Sequence, residues 1–343
     1  MRVLPFILFF SYSFAAFAVP VITVQPVALT EAEPGSSVTL SVTASGESLS
    51  YQWQKYLPSA GWQVIPGATG SSYTATYNDI NDSASLAVDV MNATGTAYSD
   101  TALVVVAAPS ERYLIVETKM TWSAAKAYAE SQGGYLLEIN SYGEWLHINT
   151  YLQNFRSDTF VDDSEYFTFL DSTLASDGGG SAYLWLGGSD AALEGDWRWA
   201  SSGEQFWSGD KNGTAMNGSF NAWGNTGQQN EPDNYQGNQD ALALALETWP
   251  NVSLDLGFEL GYTYDWNDLS ADNPLYFIIE KDLVDAPTLV LYDDFSGATM
   301  DTQKWGFACW DGGNLPTLSN GRALLSGNTV NSWNATQVTE AML

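Results

Sequence analysis

Tyr183-Leu184-Trp185-Leu186-Gly187-Gly188 is the stretch around which the rest of the chain can be read. It is apolar on both of its strand faces, so protein must cover both sides. Downstream, the chain is rich in Gly, Asn and Trp to about residue 240, which predicts long loops, and further strands are expected at 240–246 and Leu275–Glu280. Upstream, Thr121 supplies a capping oxygen for a helix that repeats Trp122, Ala125, Tyr128 and Ala129 on one face, and Gly133-Gly134 ends it. Residues 135–139 read as a strand, and Ser141 opens a second helix carrying Trp145, Ile148, Leu152 and Phe155. His147, the sole histidine, lies on that helix with no base or ligand set near it in sequence, and reads as a surface or packing residue. Residues 160–181 are acidic and then Gly-rich at Gly178-Gly179-Gly180, and are expected to form an inserted loop.

Composition narrows the partners. The 343 residues include 40 Asp+Glu against 11 Lys+Arg, a formal charge of −29. Nucleic acid and anionic lipid both need a basic surface and are excluded; divalent cations and neutral ligands such as sugars remain. With 45% apolar residues and 14 Trp the chain must fold, and its length suggests two or three domains. Cys309 is the only cysteine, so there is no intrachain disulfide framework and no thiolate zinc cluster. Arg2, the apolar run at 3–10 and the small-x-small triplet Ala16-Phe17-Ala18 read as a secretory signal peptide over 1–18, too short to span a bilayer. No later run reaches 18 uninterrupted apolar residues, so no stable membrane insertion is expected after cleavage. The product is expected to be secreted or held at the cell surface.

Residues 19–108 alternate apolar and polar positions between turn signals. Val38, Leu40 and Val42 share one face, Pro66-Gly67 and Asn92-Ala93-Thr94-Gly95 mark turns, and 86–90 and Ala102–Val106 add strands, which predicts a β-sandwich. Tyr51-Gln52-Trp53, Ile65-Pro66-Gly67-Ala68, Ser72-Tyr73 and Val90-Met91-Asn92 resemble a bacterial immunoglobulin-like domain. The resemblance places Val42 and Val88 where such domains often carry inter-sheet cysteines, and implies that Trp53 packs on aliphatic side chains instead. Such domains usually serve as spacers.

Residues 110–283 carry separated motifs in a fixed order: Trp122-x-x-Ala125, Gly133-Gly134-x-Leu136, Trp185-Leu186-Gly187-Gly188, Glu194-Gly195-x-Trp197-x-Trp199, Phe220-Asn221-Ala222-Trp223, Glu231-Pro232-Asp233, Trp266-Asn267-Asp268 and Phe277-Ile278-Ile279-Glu280. Together they resemble a C-type lectin-like domain, an α+β fold. The family's two common disulfides correspond here to Ala129 with Ile279 and Ala241 with Ala271, so packing replaces each bridge. The resemblance implies a principal calcium site at Glu231, Asp233, Gln239, Asn267 and Asp268, with Pro232 in cis. It implies a weaker auxiliary calcium site at Asp190, Glu194, Asn234 and Asp240. Two vicinal sugar hydroxyls would join the principal ion and bond to Glu231, Asp233, Asn267 and Asp268, with Tyr235 stacked on the sugar face; Trp249 and Trp223 are further aromatic candidates, Trp223 more in keeping with the core. Family members with Glu-Pro-Asn take mannose-type sugars and those with Gln-Pro-Asp galactose-type. Glu231-Pro232-Asp233 is a hybrid of the two.

Residues 287–343, with Asp293-Asp294-Phe295-Ser296-Gly297 and Lys304-Trp305, resemble the opening of a concanavalin-A-like jelly roll of laminin-G or glucanase type, but are too few to close one. The expected whole is therefore a mixed multidomain chain: an all-β immunoglobulin-like sandwich, an α+β lectin-like fold and a truncated all-β start. Neither a nucleophile–base pair, a phosphate loop nor a metal-hydrolase motif is legible, so the chain reads as a calcium-dependent glycan-binding protein and not as an enzyme. Two alternatives stay open: a protein-binding or adhesion module, and the non-catalytic part of a larger polysaccharide-degrading enzyme.

Overall fold

The structure, a computed structural model, describes residues 18–109, 111–225, 231–250 and 259–281, and the strands Thr317–Ser319 and Arg322–Leu324. Those last two pair as an antiparallel hairpin within a separate unit that begins at Leu283. Residues 1–17 of the expected signal peptide, the strand expected at 288–292 and Cys309 lie outside the described residues.

The first part is an immunoglobulin-like β-sandwich. One sheet runs Leu29–Ala32, Ala102–Val106, Ala84–Asn92, Ser50–Leu57 and Gly61–Val64, with Gly95–Tyr98 also paired to Ala84–Asn92. Its neighbours are antiparallel except Ala102–Val106 and Leu29–Ala32, which run parallel. Facing it are two antiparallel pairs, Ser36–Ser41 with Ser72–Tyr77 and Val21–Val24 with Thr43–Ser45. The inward positions of the alternating strands close on Trp53, which is fully buried beside Leu40, Val42 and Val88 and donates its indole N–H to Gly70 O at 3.0 Å. Val42 and Val88 thus contribute packing where a disulfide could have stood.

In the second part the chain returns to where it entered: the strand Tyr113–Met120 pairs antiparallel with Leu275–Glu280, placing Tyr113 opposite Glu280. Ser181–Ser189 lies on the other side of Leu275–Glu280 and extends through Asp196–Trp199 and Gln205–Ser208 to Thr214–Ala215. Ala241–Ala245 joins Ser181–Ser189 to Trp266–Leu269. Eight consecutive residues of the strand, 181–188, are buried, as its apolar sequence requires. Two helices were expected, and they form as α1 (Trp122–Ser131), capped by Thr121, and α2 (Tyr142–Thr159), capped by Ser141. Trp185 donates to Met120 O at 3.0 Å and Trp122 to Leu186 O at 2.8 Å, so the indoles pin the central strand to the first helix and its approach. Trp199, Phe206 and Trp266 form a ring cluster with centroids 4.3 to 5.9 Å apart. Ala129, Ile279 and Ala241 are fully buried in one apolar cluster against which Ala271 packs.

Three local expectations are corrected. The loop expected over 160–181 contains a helix, α3 (Asp163–Asp171), and a short strand, Leu174–Ala175. Asp162 caps α3 by accepting Ser164 and Glu165 N–H at 2.9 and 3.1 Å, and the acids that suggested a loop favour the positive end of the helix dipole. Phe169 and Leu170 bury its apolar side. The long loops expected up to 240 include the short strands Asp196–Trp199, Gln205–Ser208 and Thr214–Ala215; Trp197 and Trp199 of the first and Phe206 of the second face the core. The strand expected over 135–139 pairs only at Tyr135–Leu136.

The sandwich packs against the second part: its 3-10 turn Ile80–Asp82 docks on α2. Ile80 joins the main core cluster of the second part. Asn81 Oδ1 accepts the Ser141 hydroxyl at 2.6 Å, Ser85 and Tyr142 hydroxyls meet at 2.9 Å, and buried His147 donates from Nδ1 to Val106 O at 2.8 Å. His147 is therefore a packing residue at this joint. At Gly143 an added Cβ would run into the backbone carbonyl of Asn81. Elsewhere in an open helix, Gly→Ala stabilises by up to about 1 kcal/mol. Here the overlap should reverse the sign: Gly143→Ala should cost about 1–3 kcal/mol. A thermal midpoint equal to or above that of the parent chain would show that the joint yields.

Candidate functional site

The strand Trp266–Leu269 carries Asn267 and Asp268 into the interior, and its ladder with Ala241–Ala245 fixes their register: Leu242 faces Asp268 and Ala243 faces Asn267. Asp268 is fully buried and Asn267 nearly so. The carboxylate of Asp268 accepts Asp233 N–H at 3.2 Å and Asn234 N–H at 2.8 Å, which holds the loop after Pro232 against the strand. The Glu231-Pro232 bond is cis, as the resemblance implied, and Glu231 N–H is anchored on Gly224 O at 2.8 Å.

These contacts bring Glu231, Asp233 and Asp268 together, with one ligand oxygen from each lying within 4.8 Å of the others. Glu231 Oε2 is buried without a hydrogen-bond partner. Burial, then the charges of Asp268 and Asp233, pushes the Glu231 carboxyl far above the usual carboxylate range. Burial likewise raises Asp268, with Asp233 adding repulsion against the relief given by Asn234 N–H. Burial raises Asp233 too, offset in part by Tyr235 N–H. Three carboxylates so placed suit a hard cation that takes oxygen ligands, since a cation removes both the repulsion and the unmet acceptor.

Two amides complete the floor. Gln239 is buried; its Oε1 accepts Tyr235 N–H and its Nε2 donates to Asp177 O at 3.2 Å. Asn267 Nδ2 donates to the Tyr183 hydroxyl at 3.1 Å. All the expected principal residues except the fully buried Asp268 line a cleft of about 260 Å3. Tyr235, half exposed, stands at this cleft with Trp249 and Leu260 forming apolar wall. Trp223, by contrast, is buried in the ring cluster and does not line it.

The residues expected at the auxiliary site are neighbours but do not converge as the principal ones do: among the described residues only Glu231, Asp233 and Asp268 bring three carboxylate oxygens within 4.8 Å of one another. Asp190 Oδ2 accepts Gly195 N–H at 2.8 Å, and its buried Oδ1 has no partner. Burial raises Asp190 to about 7, with Glu194 and Asp240 adding to it. The Asn234 side chain is already engaged, donating to Glu194 at 2.6 Å and accepting Gln239 N–H at 3.1 Å.

Sequence reading missed the remaining wall, Ser176-Asp177-Gly178-Gly179. The signal was the glycine run. A Cβ at Gly178 would lie 2.6 Å from the Tyr183 ring, and one at Gly179, whose φ is +69°, would lie 2.6 Å from Pro250.

No family model matches the chain. It is 26% identical over 169 residues to Halomucin of Haloquadratum walsbyi; the match covers 47% of this chain and 2% of Halomucin, so the chain spans a very small part of that relative. Among solved structures it is similar to the N-terminal Ig1-2 module of the Drosophila receptor protein tyrosine phosphatase DLAR (19% identity, 28% of this chain, 51% of that chain, TM-score 0.23). It is also similar to the N-terminal four Ig domains of Dscam1 isoform 8.4 (18% identity, 28% of this chain, 27% of that chain, TM-score 0.25). At that overlap the strand pairing itself, rather than the likeness, defines the sandwich.

The raised carboxyls fix a pH dependence for the metal-free chain. A carboxyl raised on folding binds its proton more tightly in the folded state, so stability is present at low pH and is lost as pH rises from about 4.3, the ordinary Glu value, through the folded value. In chelator, the thermal midpoint should fall between pH 5 and pH 8, and Glu231→Gln should raise the midpoint at pH 8 and flatten that slope. A variant with the parent's slope would remove Glu231 from the group.

Proposed function

We propose that this chain is a calcium-dependent carbohydrate-binding protein, secreted or held at the cell surface and without catalytic activity of its own, and that residues 110–283 are its C-type lectin-like domain. The observation that carries the reading is the convergence of Glu231, Asp233 and Asp268 on one buried point beside an apolar wall. Glu231, Asp233, Gln239, Asn267 and Asp268 would hold the ion. Calcium takes six to eight oxygens, so when bound it would leave coordination positions for two vicinal sugar hydroxyls and offset their desolvation.

The protein's own groups supply the rest. Glu231, Asp233, Asn267 and Asp268 offer hydrogen-bond partners to those hydroxyls, and the exposed ring of Tyr235 offers a face for the sugar's C–H groups. Asp233, ionised, can only accept hydrogen bonds, whereas an asparagine there could also donate. Asp190, Glu194, Asn234 and Asp240 would form an auxiliary calcium site, for which the partnerless Asp190 oxygen is the support. No helix among the described residues is long and apolar enough to cross a membrane.

A second reading is a protein-binding module. It draws on the immunoglobulin-like sandwich, a fold that hosts many functions.

The lectin reading is tested on a glycan array with calcium and with chelator. The parent chain should give chelator-sensitive signal, and Glu231→Gln combined with Asp268→Asn should abolish it while the metal-free far-UV spectrum stays unchanged. A blank array for a calcium-binding parent chain would favour the protein-binding reading. Asp233→Asn should move the profile toward mannose-type glycans. An unchanged profile would take the triplet out of the determination of specificity.

A further inference from the structure

Both neutral side chains on the floor of the cleft point their NH2 groups at the same short turn. Gln239 Nε2 donates to Asp177 O at 3.2 Å. Asn267 Nδ2 donates at 3.1 Å to the Tyr183 hydroxyl, which in turn donates to Gly178 O at 2.8 Å. Two consecutive carbonyls, 177 and 178, are therefore the acceptors that orient both amides, one directly and one through a phenol.

The turn is itself fixed. The Asp177 carboxylate accepts Ser270 N–H at 2.8 Å and the Asn273 amide at 2.7 Å, from the turn that follows the strand of Asn267 and Asp268. Gly178 meets the Tyr183 ring so closely that a side chain there would displace the ring. Tyr183 is fully buried, and its ring packs edge-on against Trp249 at 5.9 Å between centroids, so the hydroxyl has a set position.

An amide has one oxygen and one nitrogen that exchange places on a half-turn, and only the oxygen can ligate a hard cation. A carboxylate needs no such orientation. From this we infer that the Asp177-Gly178 turn and the Tyr183 hydroxyl are a positioning device: they hold the amides of Gln239 and Asn267 with nitrogen toward the turn, which leaves the Asn267 oxygen, and the second lone pair of the Gln239 oxygen beside Tyr235 N–H, for a divalent cation on the floor. The inference rests on the calcium reading above and adds Asp177, Gly178 and Tyr183 to it as positioning residues. Outer partners of metal ligands commonly contribute 10–100-fold to metal affinity.

The test is a double-mutant cycle on the full chain, read by calorimetric titration with calcium chloride alone. Tyr183→Phe keeps the ring and deletes the relay, and should weaken calcium binding by about 10-fold. Asn267→Asp replaces the amide by a carboxylate, either oxygen of which can ligate. In that background Tyr183→Phe should cost less than about 2-fold, since the orientation it enforced is no longer needed. A merely structural tyrosine would cost the same in both backgrounds, and that result overturns the inference while leaving the calcium site standing. A parent chain that binds no calcium overturns both. A metal-free readout accompanies the titration: the Asn267 side-chain NH2 protons should exchange slowly with solvent by NMR in the parent chain and faster in Tyr183→Phe. Equal exchange in the two chains would show that the relay does not hold the amide.

Discussion

Three acidic side chains brought together at one point, two of them buried and Asp233 half-buried at the cleft, constrain everything around it. Unpaired burial of ionised carboxylates is costly, and folding brings Glu231, Asp233 and Asp268 within 4.8 Å of one another all the same. The surrounding architecture makes this arrangement possible. Backbone N–H groups of Asp233 and Asn234 satisfy Asp268, the ladder between Ala241–Ala245 and Trp266–Leu269 sets its depth, and indole-rich packing beneath keeps the strand from yielding. The core is in this sense a platform whose rigidity is needed at its polar end. In the absence of cystines, that rigidity comes from Trp185, Trp199 and Trp266 and from small residues such as Ala129 and Ala241 that let helix and strands approach closely.

Much of this was legible in the sequence, for identifiable reasons. The central strand was readable because it is apolar on both faces, and the helix caps because Thr121 and Ser141 precede apolar periodicity. Sandwich strands were readable from alternation around Trp53. The rest shares a physical cause: residue position decided what composition alone does not carry. Acids before α3 looked like a solvated loop but stabilise a helix start, and Trp-rich stretches among glycines looked irregular but alternate across short strands. The site was legible as a set of residue types in motif order. Its far wall was not, because Asp177 and Gly178 act through backbone carbonyls, and carbonyls leave no mark in an amino-acid sequence. The tight contacts of Gly178 and Gly179 were the only trace.

The joint between sandwich and second part shows the same limit from another side. Nothing in Ile80-Asn81-Asp82 announces a docking element, since a polar turn with one isoleucine is ordinary at a sandwich rim. Its role becomes visible only when Gly143 is seen to leave room for Asn81 and Ser141 to bond it while capping α2. A capping residue with two duties ties a local signal to a long-range one, and composition sees only the first.

The antiparallel pairing of Tyr113–Met120 with Leu275–Glu280 also determines how the fold would meet mechanical force. Because Tyr113 lies opposite Glu280, the incoming and outgoing chain emerge side by side, and tension along the polypeptide would peel the two strands apart from that end, one rung at a time, instead of shearing them all at once. The first rungs to bear load would be Lys281 N–H on Arg112 O at 2.9 Å and the Arg112–Glu280 ion pair at 2.8 Å. Glu231, Asp233 and Asp268 lie off that line. Under a modest pull the entry strands would open first, with the cleft still assembled.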